Sequence, residues 1–109
     1  MYNELNIYIA GPMRGHKNLN REAFMKAEDY LRSKRIYYTI VNPVNLDKES
    51  KMSDEELQSR DGLRKVMARD ISELTKCDAV YCLEGWEKSE GAKIEHALAV
   101  MLNLTIMYQ

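Results

Sequence analysis

The sequence predicts an α/β protein of three layers, with helices on both faces of a small parallel sheet. Two observations carry this. Short β-branched and aromatic runs alternate with longer runs of helical periodicity along the whole chain. Three segments that leave strand-like runs, "GPMRG", "NPVN" and "EGWEKSEG", hold most of the distinctive residues. In a parallel sheet joined by right-handed crossovers, such loops emerge at one edge, beyond the carboxyl ends of the strands, where ligands bind. The chain has 109 residues, 45% of them hydrophobic. A single domain over 1–109 is therefore expected, with a thin core and a sheet of four to five strands.

The elements follow in order. "LNIYIA" (5–10) is a short buried strand that stops at Gly11-Pro12. Residues 20–34 are helical, with Ala23, Phe24, Ala27, Leu31 and Tyr30 on one stripe. "IYYTIVN" (36–42) is the second strand, ended by Asn42-Pro43. Residues 44–52 read as a polar loop. Ser53 and Glu56 form a capping box for a short helix reaching about Arg60. A longer helix runs from Gly62 to Lys76, "DAVYCL" (78–83) is the third strand, 91–103 is the last helix, and "LTIMY" (104–108) is the last strand.

Composition excludes several classes. The formal net charge is −1, with no basic tract and no RNA-binding aromatic motif, so a nucleic-acid polymer is not an expected partner. Cys77 and Cys82 are expected to point to different faces and to stay unpaired, which fits a reducing cytoplasm. There is no CxxC and no HExxH, so neither a metal nor another cofactor is expected. The opening "MYNELNIYIAGP" is neither a signal peptide nor a membrane span. His16 and His96 have no triad spacing to a Ser or Cys, and the seven Met are read as core filling.

Two acids stand where apolar residues belong. At about 100° per residue, Leu63, Val66, Met67, Ile71 and Leu74 make one stripe, and Asp70 lies in its middle. Burying a carboxylate costs several kcal/mol or so unless donors surround it. The plain alternative is an Asp that ties a loop down through backbone or Arg hydrogen bonds. In the last helix Ile94, Ala97, Leu98 and Met101 form the expected core stripe, with Glu95 on its border. The plain alternative there is an acid that snorkels to water.

Ahead of Glu95, Ser89 and Gly91 present a hydroxyl and bare N–H groups at a helix N-terminus, a ready anion site; Ser89 serves equally as an N-cap. Gly11 and Gly15 allow tight turns around Arg14, which either forks onto an anion or lies free on the surface. The loop matches neither the nucleoside-triphosphate nor the dinucleotide glycine motif. Tyr8 sits within the first strand and needs a hydroxyl partner if buried. Trp86 either stacks on a base or packs at a subunit contact.

Together, "IYIAGPMRG", "LRKVMARDISELTKCDAVYCL" and "SEGAKIEHALA" resemble the nucleoside 2-deoxyribosyltransferase-like superfamily over nearly the whole chain. The chain looks closest to its short phage and bacterial domains of unknown function, and is similar to the 2′-deoxynucleoside 5′-monophosphate N-glycosidases. The resemblance implies a flavodoxin- or Rossmann-like fold. It puts the strand tyrosine on Tyr8, the loop arginine on Arg14, the ribose-side aspartate on Asp70, the phosphate contacts on Ser89 and Gly91, and the nucleophile on Glu95.

Two positions depart from the monophosphate hydrolases: Pro12 replaces a Ser and Lys93 a Gly. A C-terminal segment that reaches a neighbouring subunit's site in some relatives is also expected to be missing. The implied activity is hydrolysis of, or base transfer at, the N-glycosidic bond of a nucleoside or nucleotide. Gly11, Arg14, Ser89, Gly91 and Trp86 would bind substrate, and Glu95, Asp70 and Tyr8 would do the chemistry in a homodimer or higher homo-oligomer. Two alternatives stand beside it. One is a nucleotide or nucleotide-signal binding module without turnover, such as a phage-type sponge or host-interaction factor. The other is a purely structural partner protein.

Overall fold

A computed structural model describes residues 5–34 and 38–109. Its elements are β1 (Leu5–Ala10), α1 (Arg21–Lys34), β2 (Tyr38–Val41), α2 (Pro43–Ser50), α3 (Asp54–Gln58), α4 (Arg60–Leu74), β3 (Ala79–Cys82), α5 (Glu90–Met101) and β4 (Thr105–Tyr108). The four strands form one sheet in the order β2-β1-β3-β4, and every pairing is parallel. The part of the second expected strand at 36 and 37 lies outside the described residues.

Alternation along β1 divides the core into two layers. Ile7 and Ile9 pack with Phe24, Ala27 and Leu31 of α1 and Val44 of α2. Tyr8 and Ala10 face the other way, with Leu74 of α4 and Ala99 of α5. The chain leaves β1 for β2 on one side and later crosses to β3 on the other. A crevice therefore opens beyond the ends of β1 and β3, the switch point of the sheet. At Gly11 a Cβ would meet the Leu83 side chain at 2.8 Å, so only glycine lets the two strand ends approach this closely.

Several expectations need correction. The polar loop at 44–52 is largely helix α2. Asn42 caps it by accepting from the Val44 N–H at 3.0 Å, and Pro43 starts it. The helix has little apolar stripe of its own, so periodicity could not reveal it. The capping box of α3 forms as expected, with Ser53 and Glu56 bonded reciprocally. α4 begins before Gly62, because Ser59 caps it by accepting from the Gly62 N–H at 3.0 Å. A Cβ at Gly62 would stand 1.7 Å from the Glu56 carbonyl oxygen, so that turn admits no larger residue.

The stripes of α4 and α5 also differ from expectation. Of the α4 stripe only Leu74 is buried; Leu63, Val66, Met67 and Ile71 are half-buried. On α5 the buried residues are Ala92, Glu95 and Ala99. Ile94 and Met101, expected in the core, are 51% and 75% exposed. Most of α5 is apolar around its circumference, so a hydrophobic pattern could not choose its inner face. Small residues decided it, since Ala92 and Ala99 let the helix lie close on the sheet. Cys77 and Cys82 are free, but both pack in the Tyr8 layer rather than on different faces. Cys77 precedes β3, so strand alternation does not govern it.

Candidate active site

The crevice at the switch point is a cavity of about 410 Å³. Gly11 and Arg14 from the β1 exit, Asp70 from α4, and Ser89, Gly91 and Glu95 from the start of α5 all line it. Leu63, Val66 and Met67 from α4, with Ile94, form its apolar wall. Leu63, Val66 and Met67 of the α4 stripe thus face a cavity, which is why they are only half-buried. The β1 and β3 exits meet here because parallel strands deliver their ends to one edge, and α4, packed on α5, brings Asp70 to them.

Glu95 is a buried polar group of the site, 6% exposed. Its Oε2 accepts the Tyr8 hydroxyl at 2.5 Å. Tyr8 has no solvent exposure and is not part of the cavity lining; it supports Glu95 from the sheet. Burial pushes the Glu95 carboxyl up to about 8, against the Tyr8 hydrogen bond, and the negative charge of Asp70 adds to the rise. Burial and the two carboxylates hold the Tyr8 hydroxyl well above its usual range, so it stays a donor.

Asp70 is 5% exposed. Burial raises it to about 6, while the Arg69 guanidinium opposes the rise. Arg69 donates from Nε and Nη2 to Asp70 Oδ1, at 2.9 and 2.8 Å. The same Nη2 donates to Asp47 Oδ1 at 2.7 Å. Asp47, on α2, is 6% exposed. Sequence reasoning missed both Arg69 and Asp47. An Arg beside an acid at i+1 lies off that acid's helix face, and Asp47 fell in a segment read as loop.

The remaining residues are placed as follows. The Ser89 hydroxyl accepts from the Ala92 N–H at 3.2 Å, so it caps α5 while lining the cavity. A Cβ at Gly91 would lie 3.7 Å from Met67 Sδ, an ordinary contact, so space does not require glycine there. Arg14 is exposed at the rim and donates to the Gln58 carbonyl at 3.2 Å. Trp86 does not line the cavity. It stacks on His96 with ring centroids 4.0 Å apart, and His96 Nε2 is 2.8 Å from the Tyr108 hydroxyl. Among the described residues no group of His, Cys, Asp and Glu is arranged to hold a metal. No helix among them is long and apolar enough to cross a membrane.

The three-layer fold with its small parallel sheet is shared with a solved 2-deoxyribosyltransferase. The structure matches a 2-deoxyribosyltransferase from the psychrotolerant bacterium Bacillus psychrosaccharolyticus with a TM-score of 0.67. The match has 20% sequence identity and covers 94% of this chain and 70% of that one. Residues 5–108 match the family described as Domain of unknown function (DUF4406), and the chain belongs to that family. No curated protein matches the sequence.

Proposed function

We propose that the protein cleaves or exchanges the N-glycosidic bond of a nucleoside or nucleoside 5′-monophosphate, with Glu95 as nucleophile. The observation that carries this reading is a buried carboxylate, bonded to a buried tyrosine, in the same cavity as a second buried acid. Breaking the C1′–N bond builds positive charge on the sugar. Ionised Glu95 attacks C1′ as the bond to the base breaks, and the departing base takes up a proton. Asp70 binds the sugar hydroxyls or assists that proton transfer. Water then resolves the ester to give hydrolysis, or a second base resolves it to give transfer.

Arg14, the Ser89 hydroxyl and the Gly91 N–H stand where an anionic 5′ group would dock, and the Leu63–Val66–Met67 wall suits an apolar base face. The chemistry uses these side chains and no cofactor. The test is free base released from a panel of nucleosides and 5′-monophosphates, measured by chromatography. Turnover that Glu95→Ala abolishes supports the reading; no turnover on any member, or turnover indifferent to that change, refutes it.

One observation favours a second reading. Burial raises the Glu95 carboxyl to about 8, so the protonated form, which does not attack, predominates at pH 7. On that reading the cavity binds a nucleotide or nucleotide signal without cleaving it, and calorimetry followed by recovery of intact ligand identifies it.

The reading also takes the chain as one cytoplasmic domain that forms a homodimer or higher homo-oligomer. Two buried free thiols fit a reducing compartment. α5 leaves Ile94, at the cavity, and Val100 and Met101 beyond it exposed, an apolar surface that a second subunit would cover. A clean monomer on gel filtration removes that part of the reading.

A further inference from the structure

Arg69 bonds Asp70 through Oδ1 alone, by two of its nitrogens, and is itself held by Asp47 from α2. Residues at i and i+1 do not share a helix face, so the α4 backbone gives this pair no help. The guanidinium reaches Asp70 along the helix surface, and the buried Asp47 carboxylate anchors it through the same Nη2 that donates to Asp70. We propose that Arg69, braced by Asp47, is a positioning residue that fixes the Asp70 carboxyl at the cavity by one oxygen, leaving Oδ2 outside the guanidinium's grip.

The inference rests on the glycosidic reading for its catalytic meaning, but the geometry is independent of it. A clamp serving only to hold α2 against α4 would use the same ion pairs. The difference is whether Arg69 governs the state of Asp70. The titratable groups around Asp70 are Tyr8 from β1, Asp47 from α2, Arg69 on its own helix and Glu95 from α5. Arg14, Lys88 and Glu90 stand further out along the cavity, with His16. Burial and Asp47 favour the protonated acid; Arg69 and the Tyr8 hydroxyl favour the carboxylate. Removing Arg69 therefore takes away the largest influence that keeps Asp70 ionised.

The experiment is a carboxyl ¹³C NMR titration of the full chain, with the Asp70 resonance identified by its loss in Asp70→Asn. Arg69→Met and Arg69→Lys are compared with wild type, alongside turnover of the nucleoside panel. Arg69→Met is expected to raise the Asp70 midpoint by about one pH unit, with a smaller rise for Arg69→Lys, which keeps charge but loses the fork. In an active wild type, Arg69→Lys is expected to lower kcat about 100-fold with little change in KM. An Asp70 midpoint equal to wild type in the folded variants overturns the proposal, as does an unchanged kcat in Arg69→Lys. If Arg69→Met does not fold, the Arg69→Lys midpoint decides alone. If wild type turns over no substrate, the glycosidic reading fails while the midpoints still decide the role of Arg69.

Discussion

Ile7 and Ile9 enter the layer beneath α1, whereas Tyr8 and Ala10, alternate residues of the same strand, enter the layer beneath α4 and α5. Phe24, Ala27 and Leu31 close the first layer with apolar side chains. The second layer closes over small residues and carries the Tyr8–Glu95 pair, with Asp70 beside it. One strand thus serves two purposes. Its even-numbered side holds a carboxylate in an environment that disfavours its charge, and its odd-numbered side supplies the packing that keeps the sheet in place. Buried acids with raised pKa values mark sites of function more often than sites of stability.

That contrast predicts opposite outcomes for the two layers. The largest effect belongs to Glu95→Gln, which on the proposed function lowers turnover by about 10³-fold or more, measured as released base. The same change is expected to stabilise the protein. Glu95 has a folded value of about 8 against an ordinary 4.5, so the native state binds more protons than the unfolded state between those values. Its contribution to stability is intact below about 4.5, falls as pH rises, and levels off above about 8. Gln carries no such penalty, so Glu95→Gln should be more stable than wild type at pH 8–9, by an amount on the order of a few kcal/mol that vanishes near pH 4. Denaturant titrations at the two pH values measure it; equal stability at both would remove the contrast.

Phe24→Ala, in the other layer, is expected to cost about 3–5 kcal/mol through its cavity. It should leave the pH dependence of turnover where it was, and a moved pH profile would show that the layers are coupled. On the proposed function, kcat/KM in wild type rises with pH through about 8, because attack requires ionised Glu95. Tyr8→Phe removes a hydrogen bond that favours the Glu95 carboxylate, so this limb should move to higher pH. Turnover at pH 7 should then fall by about 10- to 100-fold, a smaller loss than for Glu95→Gln. The smallest effect is expected at Asp54→Ala. It breaks the exposed ion pair with Arg21, away from the cavity, and should leave turnover and its pH profile unchanged.

Much of the fold was legible because its signals are local. Strand β1, the α3 capping box and the alternation of strands and helices need only neighbours in sequence. Asp70 was legible as a misplaced charge in an apolar run. Glu95 was harder: it was read as a border residue, whereas it sits at the centre of the buried face of α5. The chain offered apolar residues on nearly every side of that helix, so burial depended on which side could approach the sheet. Arg69 and Asp47 were not legible at all, since their meeting depends on α2, a helix nucleated by one Asn-Pro step, reaching α4.

The sequence by itself determined the alternation of strands with helices, the parallel sheet and the edge at which its distinctive loops gather, because periodicity, turn chemistry and crossover handedness act over short stretches of chain. Only the tertiary structure decided that Glu95 sits at the centre of the buried face of α5, that Leu63, Val66 and Met67 wall a cavity instead of filling a core, and that Arg69 stands between two acids. Those outcomes turn on the packing of Ala92 and Ala99 against the sheet and on contacts between residues far apart in the chain. Such contacts are set by close-packing and by the demand that buried polar groups find partners, and neither is written in any single stretch of residues.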